Sequence, residues 1–268
     1  GRLYSEQTSE PIQGVEVKPL LVLFPMKLVT KTRKIKIDDP SGKINRITGK
    51  CSNPASTSKW LSVNGNITNG LNFVVSNGGL AYVEANNVLT NNTWHHIVCV
   101  FNGTQAVNVD RAKIYVDSVD ETQSIIGTLP STTYDFTLEP TNPTWYLGQV
   151  GLQLGNNELE GKLDEYAIYS DVALTDLEVD EIYNGGVPNN LNSLSVTPDL
   201  WYRMGEEATF VYGANPDGTW TIPDQVGSNN GTSNNLMADI TRVGNTPSSE
   251  NNAVSFNMDE VDRVEDTP

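Results

Sequence analysis

Asn92-Thr93-Trp94-His95-His96-Ile97-Val98-Cys99-Val100-Phe101-Asn102-Gly103, followed by Ala112-Lys113-Ile114-Tyr115-Val116-Asp117, decides how this chain folds. From Trp94 to Phe101 both alternating faces are largely apolar, so the segment reads as a strand in the middle of a sheet. In the second run Ala112, Ile114 and Val116 share one parity while Lys113 and Asp117 take the other, which predicts a strand wet on one side.

Working outward, Leu71-Asn72-Phe73-Val74-Val75 and Leu80-Ala81-Tyr82-Val83-Glu84 flank Ser76-Asn77-Gly78-Gly79. A glycine-bearing loop of that length between apolar runs predicts a hairpin. Thr133 to Leu138, Thr144 to Gln149 and Leu159 to Tyr169 supply further strands, the last with Gly161 as a bend or bulge. Asn, Gly, Ser and Thr fill the intervals, the pattern of an antiparallel sandwich or barrel. One helix breaks it. Thr175 stands three residues before Glu178, a capping-box spacing, and Leu177, Val179, Ile182 and Tyr183 form an apolar stripe ahead of Gly185-Gly186, so a short helix is predicted from Asp176 to Asn184.

The formal net charge of −16 over 268 residues argues against nucleic acid and anionic membrane as partners, since both demand clustered cations. That charge is uneven: Lys18, Lys27, Lys31, Arg33, Lys34, Lys36, Lys43, Arg46, Lys50 and Lys59 crowd the first quarter. The Lys31 to Lys36 cluster reads either as a solvated strand or loop, or as a docking arm for an acidic surface. Membrane insertion is not expected, because Pro19 to Val29 falls short of the roughly 20 apolar residues a span needs and is broken by Pro25 and Lys27. Nor does Gly1-Arg2-Leu3-Tyr4 begin a signal peptide. Cys51 and Cys99 are either one staple or two reduced thiols. Three regions are expected: a basic segment at 1–59 of open placement, a sandwich at 60–187, and an Asn- and Asp-rich acidic tail at 188–268. The tail's apolar islands, Leu200 to Met204, Thr219 to Ile222 and Ala253 to Phe256, are too few for a core of their own, so it should need another surface to pack on.

Asn92 to Gly103 with Lys113 to Asp117 resembles the paired central strands of the concanavalin A-like superfamily, in its laminin-G-like and pentraxin-like jelly rolls. Tyr146-Leu147-Gly148-Gln149, then Leu159-Glu160-Gly161-Lys162-Leu163-Asp164-Glu165-Tyr166-Ala167-Ile168-Tyr169 and Ala173-Leu174-Thr175, resemble its closing strands and terminal helix. Leu200-Trp201-Tyr202-Arg203-Met204-Gly205, Gly227 to Thr232 and Ala253 to Phe256 resemble the opening strands of such a domain. The tail thus either starts a second sandwich or supplies strands to the first, in cis or between subunits. Residues 1–59 lack the usual Phe-Asp-Gly opening. The resemblance implies an all-β fold: an antiparallel jelly-roll β-sandwich with one short helix and an extended C-terminal tail. With its acidic tail the arrangement also resembles structural proteins of marine tailed phages.

Candidate chemistry is sparse. A glycosidase of this superfamily carries Glu, Asp and Glu on alternate positions of one strand. Glu158 to Glu165 has the wrong order and a Gly-Lys interruption; Glu160 and Asp164 share parity and could face one way, but a structural role closing the sheet edge is the favoured reading. His95 and His96 point to opposite strand faces, which separates them as ligands for one ion. The pentraxin-like calcium loop is absent after Gln149, leaving Ca2+ two candidate sites, Asn156, Asn157 and Glu158 or the Asp117/Asp120/Glu121 loop, with solvated loops as the alternative. Asn66, Asn91, Asn102 and Asn230 head glycosylation sequons that so Asn- and Thr-rich a chain produces by composition. Among the tryptophans, Trp94 and Trp145 sit in strand patterns and read as core, whereas Trp60 and Trp220, in Ser, Thr and Gly surroundings, are candidate sugar-stacking platforms.

The first expectation is a non-enzymatic virion structural protein, a capsid decoration or fibre or tail-associated component, located in the virion and assembling with virion proteins or as a homo-oligomer. The alternative is an extracellular or surface carbohydrate-binding module with a glycan partner. A glycoside hydrolase ranks last.

Overall fold

Short β-branched and aromatic runs divided by Asn, Gly and Ser turns leave the chain little choice but antiparallel pairing. The computed structural model describes residues 3–4, 11–12, 15–17, 28–37, 46–51, 59–66, 69–131, 145–148, 159, 161–204, 207–212, 218–232 and 254–256. In chain order these hold β1 (Leu3–Tyr4), β2 (Pro11–Ile12), β3 (Val15–Val17), β4 (Leu28–Ile37), β5 (Arg46–Cys51), β6 (Lys59–Asn66), β7 (Gly70–Asn77) and β8 (Tyr82–Ala85). There follow β9 (Trp94–Asn102), β10 (Ala112–Val116), β11 (Val119–Asp120), β12 (Ser124–Ile126), β13 (Trp145–Leu147), β14 (Gly161–Ser170) and α1 (Asp176–Tyr183). The tail adds β15 (Leu200–Tyr202), β16 (Thr209–Tyr212), β17 (Gly218–Ile222), β18 (Gly231–Thr232) and β19 (Val254–Phe256).

Apart from the β1–β2 ribbon, the strands build two sheets. One has ten strands in the order β12-β8-β7-β6-β5-β13-β3-β18-β17-β16, the other seven in the order β11-β10-β9-β4-β14-β15 with β19 also on β14. Strand β9 lies between β10 and β4. Its two apolar faces have different uses: Ile97, Cys99 and Phe101 fill the core between the sheets, while Val98 and Val100 lie under the helix layer. In β10 the Ala112, Ile114 and Val116 face is core as expected, and Tyr115 on the other face packs in that helix layer and donates its hydroxyl to Asp176 at 2.6 Å.

The predicted hairpin is present as β7 and β8 with Val74 opposite Tyr82. Leu80 falls outside β8 and is 56% exposed, because the turn extends to it. Helix α1 has both halves of its capping box: Thr175 N–H donates to Glu178 Oε2 at 2.7 Å, and Glu178 N–H to Thr175 Oγ1 at 3.4 Å. It ends on Asn184 in the left-handed region. Leu177 does not join the stripe; it is 80% exposed, and Val179 and Ile182 carry the contact with the sheet. Strand β14 bulges between Asp164 and Ala167 rather than at Gly161, with Glu165 at φ 50°. The strand expected at Thr133 to Leu138 lies outside the described residues.

All three expected regions feed the same two sheets. Residues 1–59 supply β3, β5 and β4, the last set between β9 and β14. The tail supplies β15 beside β14 and β16, β17 and β18 at the far end of the ten-stranded sheet, burying Leu200, Trp201, Tyr202, Trp220 and Ile222. Tail and sandwich therefore share one core. Cys99 is buried in that core, and Cys51 takes its place in β5 of the opposite sheet.

Candidate functional site

The outer face of the seven-stranded sheet is taken: Leu174, Val179, Ile182 and Leu191 cover Val98, Val100, Tyr115, Ala167 and Tyr169. The inner face of the ten-stranded sheet is also taken, by Leu61, Val63, Leu71, Phe73, Val75, Val83 and Ala85. Residues of the opposite parity in β6, β7, β8 and β12 form the sheet's outer face.

Directly paired residues of antiparallel strands share a face, so the register arranges this surface in rows. One row runs Ile126, Tyr82, Val74, Ser62, Gly49, Tyr146 across β12, β8, β7, β6, β5 and β13. A second, polar row runs Ser124, Glu84, Asn72, Asn64, with Arg46 at the next register position. Side-chain bonds agree with this parity. Ser124 Oγ donates to Glu84 Oε2 at 2.9 Å, and Asn64 Nδ2 donates to Ser62 Oγ at 3.0 Å. Ser62, Asn64 and Val74 are buried, while Asn72, Tyr82, Glu84, Ser124 and Tyr146 are half-buried, so the face has a recessed floor flanked by accessible groups. At Gly49 a Cβ would lie 2.5 Å from Ser62 Cβ and 2.6 Å from Leu61 O, which keeps the row bare between Ser62 and Tyr146.

The rim beside the polar row is tied down by the chain leaving β8. Asn86 N–H donates to Gln123 Oε1 at 3.0 Å and Gln123 Nε2 to Asn86 O at 2.9 Å. Val88 and Leu89 N–H both donate to Asn69 O. Thr90 N–H donates to His95 Nε2 at 3.0 Å, so that nitrogen is the acceptor and Nδ1 carries the proton bonded to Asp117 Oδ2 at 2.7 Å. Asp117 Oδ1 accepts from His96 N–H at 2.8 Å. Burial of the Asp117 carboxyl opposes its ionisation, but the bonds from His95 and the His96 backbone outweigh it and hold its pKa below the ordinary carboxylate value.

The sequence candidates fare unevenly. Trp60 lies in β6 opposite Cys51 and Ser76, and its side chain is outside the description. Trp220 is 6% exposed and packs on Phe210 with ring centroids 5.2 Å apart. An indole so enclosed in the core has no face left for a pyranose, and its neighbours misled because Gly218, Thr219 and Thr221 belong to the same strand β17, where Thr219 and Thr221 take the opposite parity. Asn156, Asn157, Glu158 and Glu160 lie outside the described residues. In the other candidate calcium loop Asp117 is engaged as above and Asp120 pairs with Lys113 at 3.2 Å. Among the described residues no group of three or more His, Cys, Asp or Glu is placed to hold a metal. His95 and His96 do diverge, His96 stacking on Tyr183 at 5.7 Å. Asp164 is fully buried and accepts from Glu165 N–H, a structural position. Trp145 is half-buried against the core, its Nε1 donating to Thr48 Oγ1 at 2.8 Å, and Trp94 is half-buried. Reading motifs passed over Asn64, Asn72, Tyr82, Glu84 and Ser124, although in Leu71-Asn72-Phe73 and Tyr82-Val83-Glu84 their off-core parity was visible.

A laminin-G-type family model, described as the Concanavalin A-like lectin/glucanases superfamily, matches residues 34–180, more than half of the chain. The chain belongs to this superfamily. Solved structures resemble it at low identity. A Bacteroides ovatus protein described as a candidate carbohydrate binding protein is 18% identical, with a TM-score of 0.57 over 84% of this chain. The chain spans 60% of that protein's length. A heptameric SAP-like pentraxin from Limulus polyphemus is 12% identical, with a TM-score of 0.49 over 89% of this chain and 95% of its own. The CBM40 of a Ruminococcus gnavus IT-sialidase, solved with α2,3 sialyllactose, is 10% identical, with a TM-score of 0.45 over 64% of this chain and 94% of its own. No curated protein matches the chain in sequence. The superfamily's lectin-like jelly roll is thus the plain description of the fold.

Proposed function

We propose that this chain is a non-catalytic carbohydrate-binding module acting outside the cell, and that it holds glycan on the outer face of the ten-stranded sheet. The observation that carries the reading is the half-buried polar run Ser124, Glu84, Asn72 lying beside Tyr82 on the sheet face away from the helix layer. An amide, a hydroxyl and a carboxylate beside an aromatic ring suit sugar hydroxyls and the apolar face of a pyranose. The Bacteroides ovatus neighbour, with its carbohydrate-binding description, supports the same reading.

Hydrolysis finds no support in the carboxylates described on this face. The register positions of Glu84 and Glu16 share the outer face but stand five strands apart, about 24 Å at ordinary strand spacing. Retaining chemistry needs carboxyl groups about 5 Å apart and inverting chemistry less than about 10 Å. One support of the virion reading was a tail in need of a partner, and β15 to β19 pair with strands of this chain. A glycan array probed with the wild-type chain and with an Asn72→Ala/Glu84→Gln variant tests the proposal. Binding that disappears in the variant at unchanged melting temperature is expected. Silence across the array, or binding indifferent to both substitutions, rejects it.

A further inference from the structure

We infer that a second copy of this chain docks on the end of the sandwich formed by the β7–β8 turn, the β9–β10 loop and the segment leaving β12, the two copies meeting patch to patch about a twofold axis. The surface is separate from the proposed glycan face.

Nine large aliphatic side chains stand exposed among the described residues, and four of them, Leu80, Val107, Val109 and Ile126, belong to these three stretches. The stretches meet. Strand β12 runs antiparallel to β8 with Ile126 opposite Tyr82, so the chain leaves β12 beside the β7–β8 turn. There the Gly127 backbone lies so near that a Cβ on it would stand 2.3 Å from Leu80 O. Asn108 Nδ2 donates to Gly127 O at 3.2 Å and Asn108 Oδ1 accepts from Leu129 N–H at 2.9 Å, which brings the β9–β10 loop alongside. Exposed aliphatic groups gathered in this way mark a contact surface, whereas single ones do not.

The patch is also preformed. The buried Arg111 donates from Nε to Gln105 O at 3.0 Å, from Nη2 to Ala106 O at 3.3 Å and from Nη1 to Leu129 O at 3.0 Å. Its guanidinium fixes from beneath the loop that carries Val107 and Val109. The two valines are thus held outward by bonded backbone, and docking has little disorder left to remove.

Charge selects the occupant. Residues 76–82, 102–109 and 125–131 contain no Asp, Glu, Lys or Arg, in a chain of net charge −16. Two copies of so acidic a chain repel over most approaches, and at this end they close without setting charge against charge. An apolar, neutral patch is complementary to itself, as a twofold interface requires. A strongly charged partner would find no counter-charge here. Size sets the strength: 18 residues of these stretches are exposed or half-buried, just short of the about 20–30 per side of a standard interface. The dimer therefore belongs to the weak class, with a dissociation constant of micromolar order.

The test is sedimentation equilibrium of the full chain, without glycan, from micromolar to near-millimolar concentration at low and high salt. A monomer–dimer equilibrium is expected, and it should tighten as salt screens the repulsion between two acidic bodies. Val107→Ser/Val109→Ser should weaken it about tenfold or more, with the melting temperature in dilute solution unchanged. Leu177→Ser, on the exposed surface of α1, should leave it as it is. A chain that stays monomeric throughout, a dimer indifferent to the two valines, or one abolished by Leu177→Ser overturns the inference. A monomeric chain whose valines instead bind phosphatidylcholine vesicles assigns the patch to a lipid surface and overturns it equally. None of these outcomes bears on the glycan reading, which the array tests by itself.

Discussion

Replacing Trp201 by Phe asks whether the C-terminal strand closes the sandwich within its own chain. Trp201 lies in β15 opposite Ala167, buried beneath the helix layer. Its indole Nε1–H donates to Glu165 Oε2 at 2.7 Å, and the same carboxylate meets Arg203 Nε at 3.5 Å through its other oxygen. The Arg203 guanidinium stands 5.7 Å from the indole centroid. Phenylalanine keeps most of the buried ring area and deletes the donor, taking the short bond away from a buried carboxylate. A hydrogen bond to a charged group contributes about 1.5–3 kcal/mol. At about 2–4 °C per kcal/mol for a chain approaching this size, the melting temperature should fall by about 3–12 °C. Urea unfolding followed by far-ultraviolet circular dichroism gives the free energy directly, and a double-mutant cycle with Glu165→Gln should return a coupling near 1 kcal/mol or more. A loss below about 0.5 kcal/mol with no coupling would refute the packing described. A loss that varied with protein concentration would mean that another copy supplies β15.

Two further perturbations probe the sheet and its rim. Ala in place of Gly70 puts a Cβ 2.0 Å from Ala85 O and 2.8 Å from Asn86 Cα, so β7 and β8 must separate; overpacking of this kind costs about 1–3 kcal/mol. Gly79→Ala, with nothing within 4 Å, is the neutral control in the same denaturation assay. Asp117→Asn preserves a side chain that tolerates the left-handed backbone at φ 50° but removes the charge facing His95. Because the folded Asp117 carboxyl titrates below its unfolded value, its contribution is present above about pH 4 and lost as pH falls through the folded pKa. The gap in melting temperature between wild type and variant should therefore be constant near neutrality and close in acid; a gap that widened in acid would contradict the assignment.

The central strands were legible because their demands are local. Trp94 to Phe101 could be placed mid-sheet from its two apolar faces, and Thr175 with Glu178 fixes a helix start by itself, since both bonds join residues three apart. The partners of β4 were not legible. Lys31 to Lys36 reads as solvated by composition, yet its backbone pairs on both sides, with Lys34 in register opposite His96 and Asp164. Pairing across gaps of sixty and more than a hundred residues leaves no trace in spacing. The tail misled for the same reason: Leu200 to Tyr202 looks like an orphan island until β14 is beside it. Trp220 shows the converse error, because composition reports the flanking Gly218, Thr219 and Thr221 of its own strand and not the core behind the indole. The polar row was half legible, since the parity of Asn72 and Glu84 shows in their own strands, whereas their alignment with Ser124 and Asn64 exists only in the register.

That division has a consequence for how the molecule works. Every described side chain of the polar row comes from β6, β7, β8 and β12, whereas β16, β17 and β18 of the tail sit at the other end of the same sheet. Strand β17 is seven strands from β8, about 34 Å at ordinary spacing, and Trp201 lies in β15 of the other sheet, beneath the helix layer. Closure and the proposed recognition thus fall to separate residues, and distant sites without shared partners add independently. Trp201→Phe should lower the melting temperature and leave glycan affinity unchanged at temperatures where the variant is still folded. An affinity that fell in step with stability under those conditions would mean that the tail shapes the glycan face, and the site would have to be redrawn to include it.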